Sequence, residues 1–171
     1  ILKENNRSSK SHFFYEYENS FKMKNFDSSS VNLKLQKVSN DTYIKKEKIK
    51  NMVSQNEESL ENSIFVDLSR ENLNLSIAGN IYEDLNKSKN DRFEYIFPRI
   101  ELIKVIKNQT SLNGNFKLRS KILARNFDTN IYERKNINDL FFKSIPSITP
   151  SGFYNNYEFL VKNRNSDNDN Y

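Results

Sequence analysis

The chain of 171 residues carries 27 Lys and Arg against 22 Asp and Glu, a formal net charge of +5, with 36% hydrophobic residues and a mean hydropathy of -0.83. The absence of cysteine excludes a disulfide framework and a thiolate metal site, and the basic residues are too dispersed for the footprint of a nucleic-acid binder, so no nucleic-acid partner is expected. No run of about 18 or more apolar residues occurs, so no transmembrane helix is expected; 13 Phe and 9 Tyr, with only three Gly and three Pro, favour strands instead.

Residues 1–11 are polar and read as loop. From His12 to Asn25, Phe13, Tyr15 and Tyr17 oppose Phe14, Glu16, Glu18 and Ser20, with Phe21 and Met23 continuing the first set; Ser28 to Ser30 read as the turn. Val31, Leu33 and Leu35 then oppose Asn32, Lys34 and Gln36 in a second strand. Residues 39–59, with the basic run from Lys45 to Lys50, read as a long exposed loop. A third strand, Leu60 to Arg70, places Ile64, Val66 and Leu68 opposite Phe65, Asp67 and Ser69.

The stretch from Asn72 to Glu83 has the clearest pattern in the chain. Leu73, Leu75, Ile77, Gly79 and Ile81 point one way and Asn72, Asn74, Ser76, Ala78, Asn80 and Tyr82 the other, the period of a strand with one oily and one wet face. Across a polar connection, Asp91 to Ile106 completes a long antiparallel hairpin. Asn113-Gly114 is a turn signal. After it Phe116, Leu118, Ile122 and Ala124 alternate with Lys117, Arg119, Lys121 and Arg125. A strand face with that many cations cannot be core and must line solvent or a water-filled space. Asn130 to Phe142 mixes the two faces, Pro146 and Pro150 bracket a turn, and the last strand runs from Phe153 to Asn163 before a polar tail that reads as loop.

The sum is an all-β, antiparallel up-and-down meander of about seven or eight strands. Several reach ten residues or more, where ordinary strands average about five or six and bilayer-spanning ones need ~9–11. Two architectures share this alternation: a soluble sandwich with the oily faces packed together, or a membrane barrel with oily faces toward lipid and wet faces toward a lumen. Strand length, aromatics near strand ends and the cationic strand favour the barrel. Leu73, Leu75, Ile77 and Ile81 are then the lipid-facing candidates, and Lys117, Arg119, Lys121 and Arg125 the lumen-facing ones.

Four segments carry a family resemblance: Gln36 to Tyr43 (QKVSNDTY), Ile81 to Leu85 (IYEDL), Asp91 to Pro98 (DRFEYIFP) and Ser151 to Asp167 (SGFYNNYEFLVKNRNSD). Together they resemble the β-barrel region of the LptD family of lipopolysaccharide-assembly proteins, also known as organic solvent tolerance proteins. The resemblance implies that residues 1–171 are one partial domain of a large barrel in the cell outer membrane, with both ends cut from a longer protein. It also implies lipopolysaccharide as cargo, an LptE-like lipoprotein plug and the periplasmic Lpt bridge as partners, and transport into the outer leaflet rather than enzymatic catalysis. The family's periplasmic jelly-roll and the cysteines of many members are not among these residues. The alternatives are a soluble β-sandwich acting as a binding or adhesion module, and a porin-like channel.

No catalytic residue, cofactor or metal site is expected. Pro98 lacks a ladder donor and belongs at a bulge or local opening of its strand. Glu83 and Asp84 are adjacent, so on a strand they point to opposite faces and do not form an acid and base pair. His12 is the single histidine, which leaves a triad or an imidazole metal site without a second member. Asp167 and Asp169 lack the glycine of a calcium loop and read as solvated.

Overall fold

Period-two alternation and aromatic content drive almost every segment into strand, and the computed structural model, which describes residues 11–47, 58–87, 91–108, 113–128 and 131–170, is all-β. The elements are β1 (His12–Ser20), β2 (Ser28–Val38), a short helix α1 (Tyr43–Glu47), β3 (Ser59–Arg70), β4 (Leu73–Asp84), β5 (Phe93–Asn108) and β6 (Gly114–Phe127). They are followed by β7 (Ile131–Ser144), β8 (Ser147–Ile148), β9 (Tyr154–Asn155) and β10 (Glu158–Asn170). Eight strands form one antiparallel meander in the order β1-β2-β3-β4-β5-β6-β7-β10, and β8 with β9 forms a separate hairpin of two residues per strand. The eight-stranded sheet is open, with β1 and β10 as its edges.

One register row crosses the whole sheet: Glu18, Asn32, Phe65, Ala78, Arg99, Leu123, Lys135 and Ser166 lie opposite one another in turn. Paired residues share a face. The pairing therefore fixes the face of each paired residue of this sheet, and among the described residues the only register shift is in β5. No second sheet large enough to cover either face exists among the described residues, so the core of a sandwich is absent from them.

The largest buried apolar side chains, Ile44, Leu60 and Phe142, sit instead at the strand ends. At one end Ile44, Leu60 and Leu85 pack with Phe14 and Val38. There Arg92 donates to Asp41 and to Glu83, each at 2.6 Å, clasping the loop after β2 to the β4–β5 connection. At the other end Phe142 is 2% exposed between Phe116 and Phe159, with ring centroids 4.8 and 5.1 Å away.

Several sequence expectations are corrected. The residues expected to turn, Ser28 to Ser30, open β2; β1 stops at Ser20, and the link is 21–27, where Asn25 takes φ 75° and Phe21 N–H donates to Ser29 O. The expected exposed loop 39–59 contains α1, because Ile44 finds the apolar pocket at the strand ends; residues 48–57 lie outside the described residues. In the Asn113-Gly114 signal only Asn113 has positive φ, and Gly114 is the first residue of β6. Its glycine is demanded by packing, since a Cβ there would stand 2.5 Å from Phe142 Cζ and 2.6 Å from the Lys143 carbonyl oxygen. The last strand begins at Glu158, not Phe153, and runs on through the polar tail to Asn170, because pairing with β7 satisfies its backbone whatever the side chains.

Candidate functional site

The candidate site is the pair of opposed sheet faces. Leu73, Leu75, Ile77 and Ile81, expected to face outward together, do share a face, and their register partners extend it. Across it run Tyr15 and Tyr17 of β1, Leu33 and Leu35 of β2, Ile64 and Val66 of β3, Ile100 and Leu102 of β5, Leu118 and Ile122 of β6, Leu140 of β7 and Val161 of β10. Half of these side chains are exposed, Ile64 at 48%, Ile77 at 38% and Ile81 at 40%, and the others are half-buried between their neighbours on the sheet. An apolar stripe that crosses all eight strands with no layer over it is the kind of contiguous patch that soluble monomers rarely leave open.

The apolar stripe is diagonal. On β1 its centre, Tyr15, lies three residues to one side of the register row through Glu18. On β10 its centre, between Phe159 and Val161, lies six residues to the other side of the same row at Ser166. The stripe thus drifts nine residues over the seven strand-to-strand steps. With a rise of ~3.3 Å per residue and a strand spacing of ~4.8 Å, the slope corresponds to strands inclined by about 40° to the normal of the stripe. Bilayer-spanning barrel strands tilt by roughly 35–45° around an apolar band about 25 Å tall. Lys37, Asn62, Lys104, Ser120, Asn138 and Asn163 interrupt the stripe.

Pro98 sits in a β-bulge between Ile96 and Arg99, after a cis Phe97-Pro98 peptide. The bulge explains how β5 serves both faces. Before it the odd residues, Phe93 and Tyr95, face the apolar side; after it the even ones, Ile100 and Leu102, do so. Unbroken alternation would turn Arg99 and Glu101 onto the oily face and Ile100 and Leu102 onto the wet one, since a one-residue slip inverts every side chain. Phe97, 71% exposed, folds back over Gly79, where a Cβ would come within 3.0 Å of its ring.

On the opposite, polar face the charges are divided. Over β1 to β4 it carries Glu16, Glu18, Glu61, Asp67 and Asp84 against Lys34, which pairs with Glu61 at 3.0 Å. From β5 onward the balance reverses. Lys117, Arg119, Lys121 and Arg125 do share this face of β6, as their spacing predicts. Arg119 donates to Glu101 through both Nε (2.9 Å) and Nη2 (2.6 Å), and Arg125 pairs with Glu94. Arg99, Lys162 and Arg164 join the same face, and with Lys117 and Lys121 they have no ion pair among the described residues. Asp139 lies in register between Arg119 and Lys162, with one buried carboxylate oxygen that no group among the described residues donates to.

Sequence reasoning missed Arg99 because its face depends on the bulge, and Arg164 because it lies beyond Asn163, the expected end of the last strand; Lys162 shows its face by alternation with Val161 alone. His12 bonds Tyr43 Oη at 3.2 Å on the surface. Glu83 is committed to Arg92 and Asp84 to the turn through Asn86 N–H, on opposite faces as expected. Asp167 and Asp169 lie opposite Arg134 and Tyr132 in β10 rather than in a loop. No cluster of three or more metal-ligating side chains occurs among the described residues. No family model, curated protein or solved structure matches this chain.

Proposed function

We propose that this sheet is a stretch of the wall of an outer-membrane β-barrel that carries lipopolysaccharide to the outer leaflet. The observation that carries the membrane half of this reading is the exposed apolar stripe, with the slope that tilted membrane strands require. The cargo half rests on the resemblance of DRFEYIFP and the other quoted segments to the lipopolysaccharide-assembly family, supported by the cationic half of the polar face. In this setting the apolar face meets acyl chains, and the edges β1 and β10 are paired by further strands, because an unpaired edge in hydrocarbon leaves backbone groups without partners. The polar face lines the wet interior. Lys117, Lys121, Lys162 and Arg164 attract the phosphates of the lipid headgroup, while the acidic face of β1 to β4 repels them, so the cargo is held to one side of the lumen. The bulge at Pro98 is a point where the wall can open locally, and an LptE-like plug and the periplasmic Lpt bridge supply the remaining parts.

Fractionation of the parent membrane, with gel mobility compared before and after boiling, tests the reading. A band in the outer-membrane fraction whose mobility shifts on heating is expected. Recovery in the soluble fraction without detergent would sink it. Ion conductance without binding of lipopolysaccharide would keep the barrel and replace the cargo with the small solutes of a porin-like channel.

A further inference from the structure

The connection 145–157 between β7 and β10 is uncharged and largely exposed. Its sequence, IPSITPSGFYNNY, holds no charged residue in a chain that is 29% charged. Yet its large side chains are open to the outside: Ile148 is 74% exposed, Phe153 69% and Tyr154 65%. No apolar neighbour among the described residues covers them.

The slope of the apolar stripe says what does. At an inclination of about 40°, each residue advances ~2.5 Å along the membrane normal, and half of a band about 25 Å tall needs roughly five residues. On β4 the strand supplies four residues from Ile77, the stripe's centre, to its end at Leu73. On β10 the centre lies between Phe159 and Val161, and the strand ends at Glu158. About half of the apolar half-thickness at this corner therefore remains to be filled by 145–157.

The backbone suits a place with little water. Ser147 pairs with Asn155 and Ile148 with Tyr154; Ile145 N–H donates to Asn113 O at 2.7 Å, and Gly152 N–H, in a positive-φ turn, to Thr149 O at 2.9 Å. Two of the three prolines, Pro146 and Pro150, remove N–H groups that would otherwise need acceptors. Tyr, an aromatic ring with a polar end, settles at the headgroup boundary, and apolar side chains such as Phe bury just beneath it.

We infer that the β8–β9 hairpin is a foot that inserts Ile148, Phe153 and Tyr154 into the boundary between lipid headgroups and acyl chains. The inference rests on the membrane reading above, and the test separates the two. Because the chain has no Trp, single substitutions are clean reporters. The parent barrel, with any Trp outside these residues replaced by Phe and bearing Ile148→Trp, Phe153→Trp or, as reference, Ile77→Trp, is reconstituted in phosphatidylcholine vesicles containing lipid brominated either near the carbonyl or at the chain end. Ile148→Trp and Phe153→Trp should lose most of their fluorescence to the carbonyl-proximal bromines and little to the terminal ones, with Ile77→Trp showing the reverse order. Unquenched, water-like emission at both hairpin positions beside a quenched Ile77→Trp overturns the foot alone. Unquenched emission at all three overturns the membrane reading and the foot together.

Discussion

Substituting Ile77 by Arg places a charge at the centre of the apolar stripe on β4. If the stripe faces hydrocarbon, this position is at the bilayer midplane, where Arg costs about 2–4 kcal/mol, a factor of roughly 30 to 700 in the folding equilibrium. On a sheet in water the same exposed substitution would cost within about 0.5 kcal/mol. The register supplies an internal control, since Ile77, Ile100, Ile122, Asn136 and Asn165 occupy one row. Asn165 lies about five residues from the stripe's centre on β10, so it is ~12 Å from the midplane, where Arg costs roughly 0–1 kcal/mol. Urea unfolding of the parent barrel from phosphatidylcholine vesicles, read by gel mobility without boiling, should therefore show Ile77→Arg strongly destabilised and Asn165→Arg near wild type. Equal costs at the two positions would refute the diagonal band, and two negligible costs would refute lipid contact altogether.

Three other outcomes follow from the same geometry. Deleting Pro98 removes the bulge and restores plain alternation with every face unchanged, so it should be tolerated, whereas deleting Leu102 inverts half of β5 and should abolish the heat-shifted band. Charge reversal of Lys117 and Lys121 to Glu should weaken retention on lipopolysaccharide-coated beads at low salt, with the difference vanishing at high salt; unchanged retention would remove the electrostatic role of β6. The Arg92 hydrogen bond holds the Asp41 carboxyl below its ordinary value of 3.8. The folded state thus binds this proton more weakly than the unfolded one, and the clasp's contribution is present above that value and lost as pH falls below it. The protection of the Lys46 amide, bonded to Thr42 O, relative to its intrinsic exchange rate at each pH should fall as pH drops through this range and should already be low and independent of pH in Asp41→Asn.

Where alternation is local, the fold was legible from the residues themselves. Leu73 to Ile81 and Lys117 to Arg125 each declare their faces within one strand, because side chains two residues apart share a side whatever the partner strands do. What depends on partners was hidden. The strand through Asn165 to Asn170 has no apolar pattern and exists because β7 offers its backbone groups. Arg99 counts with the wet face only once the Phe97–Pro98 bulge is known, and Ile44 looks like one apolar residue in a basic loop until Leu60 and Leu85 meet it. The slope of the apolar stripe is a property of the register across eight strands, which no single segment contains.

The central claim is that this slope is the inclination at which the strands cross a bilayer. Polarised infrared spectroscopy of the parent barrel in oriented phosphatidylcholine multilayers measures that angle directly from the dichroism of the amide bands. Strands tilted by about 40° from the membrane normal are expected. Strands lying flat on the surface, or an absence of any preferred orientation, would contradict the account.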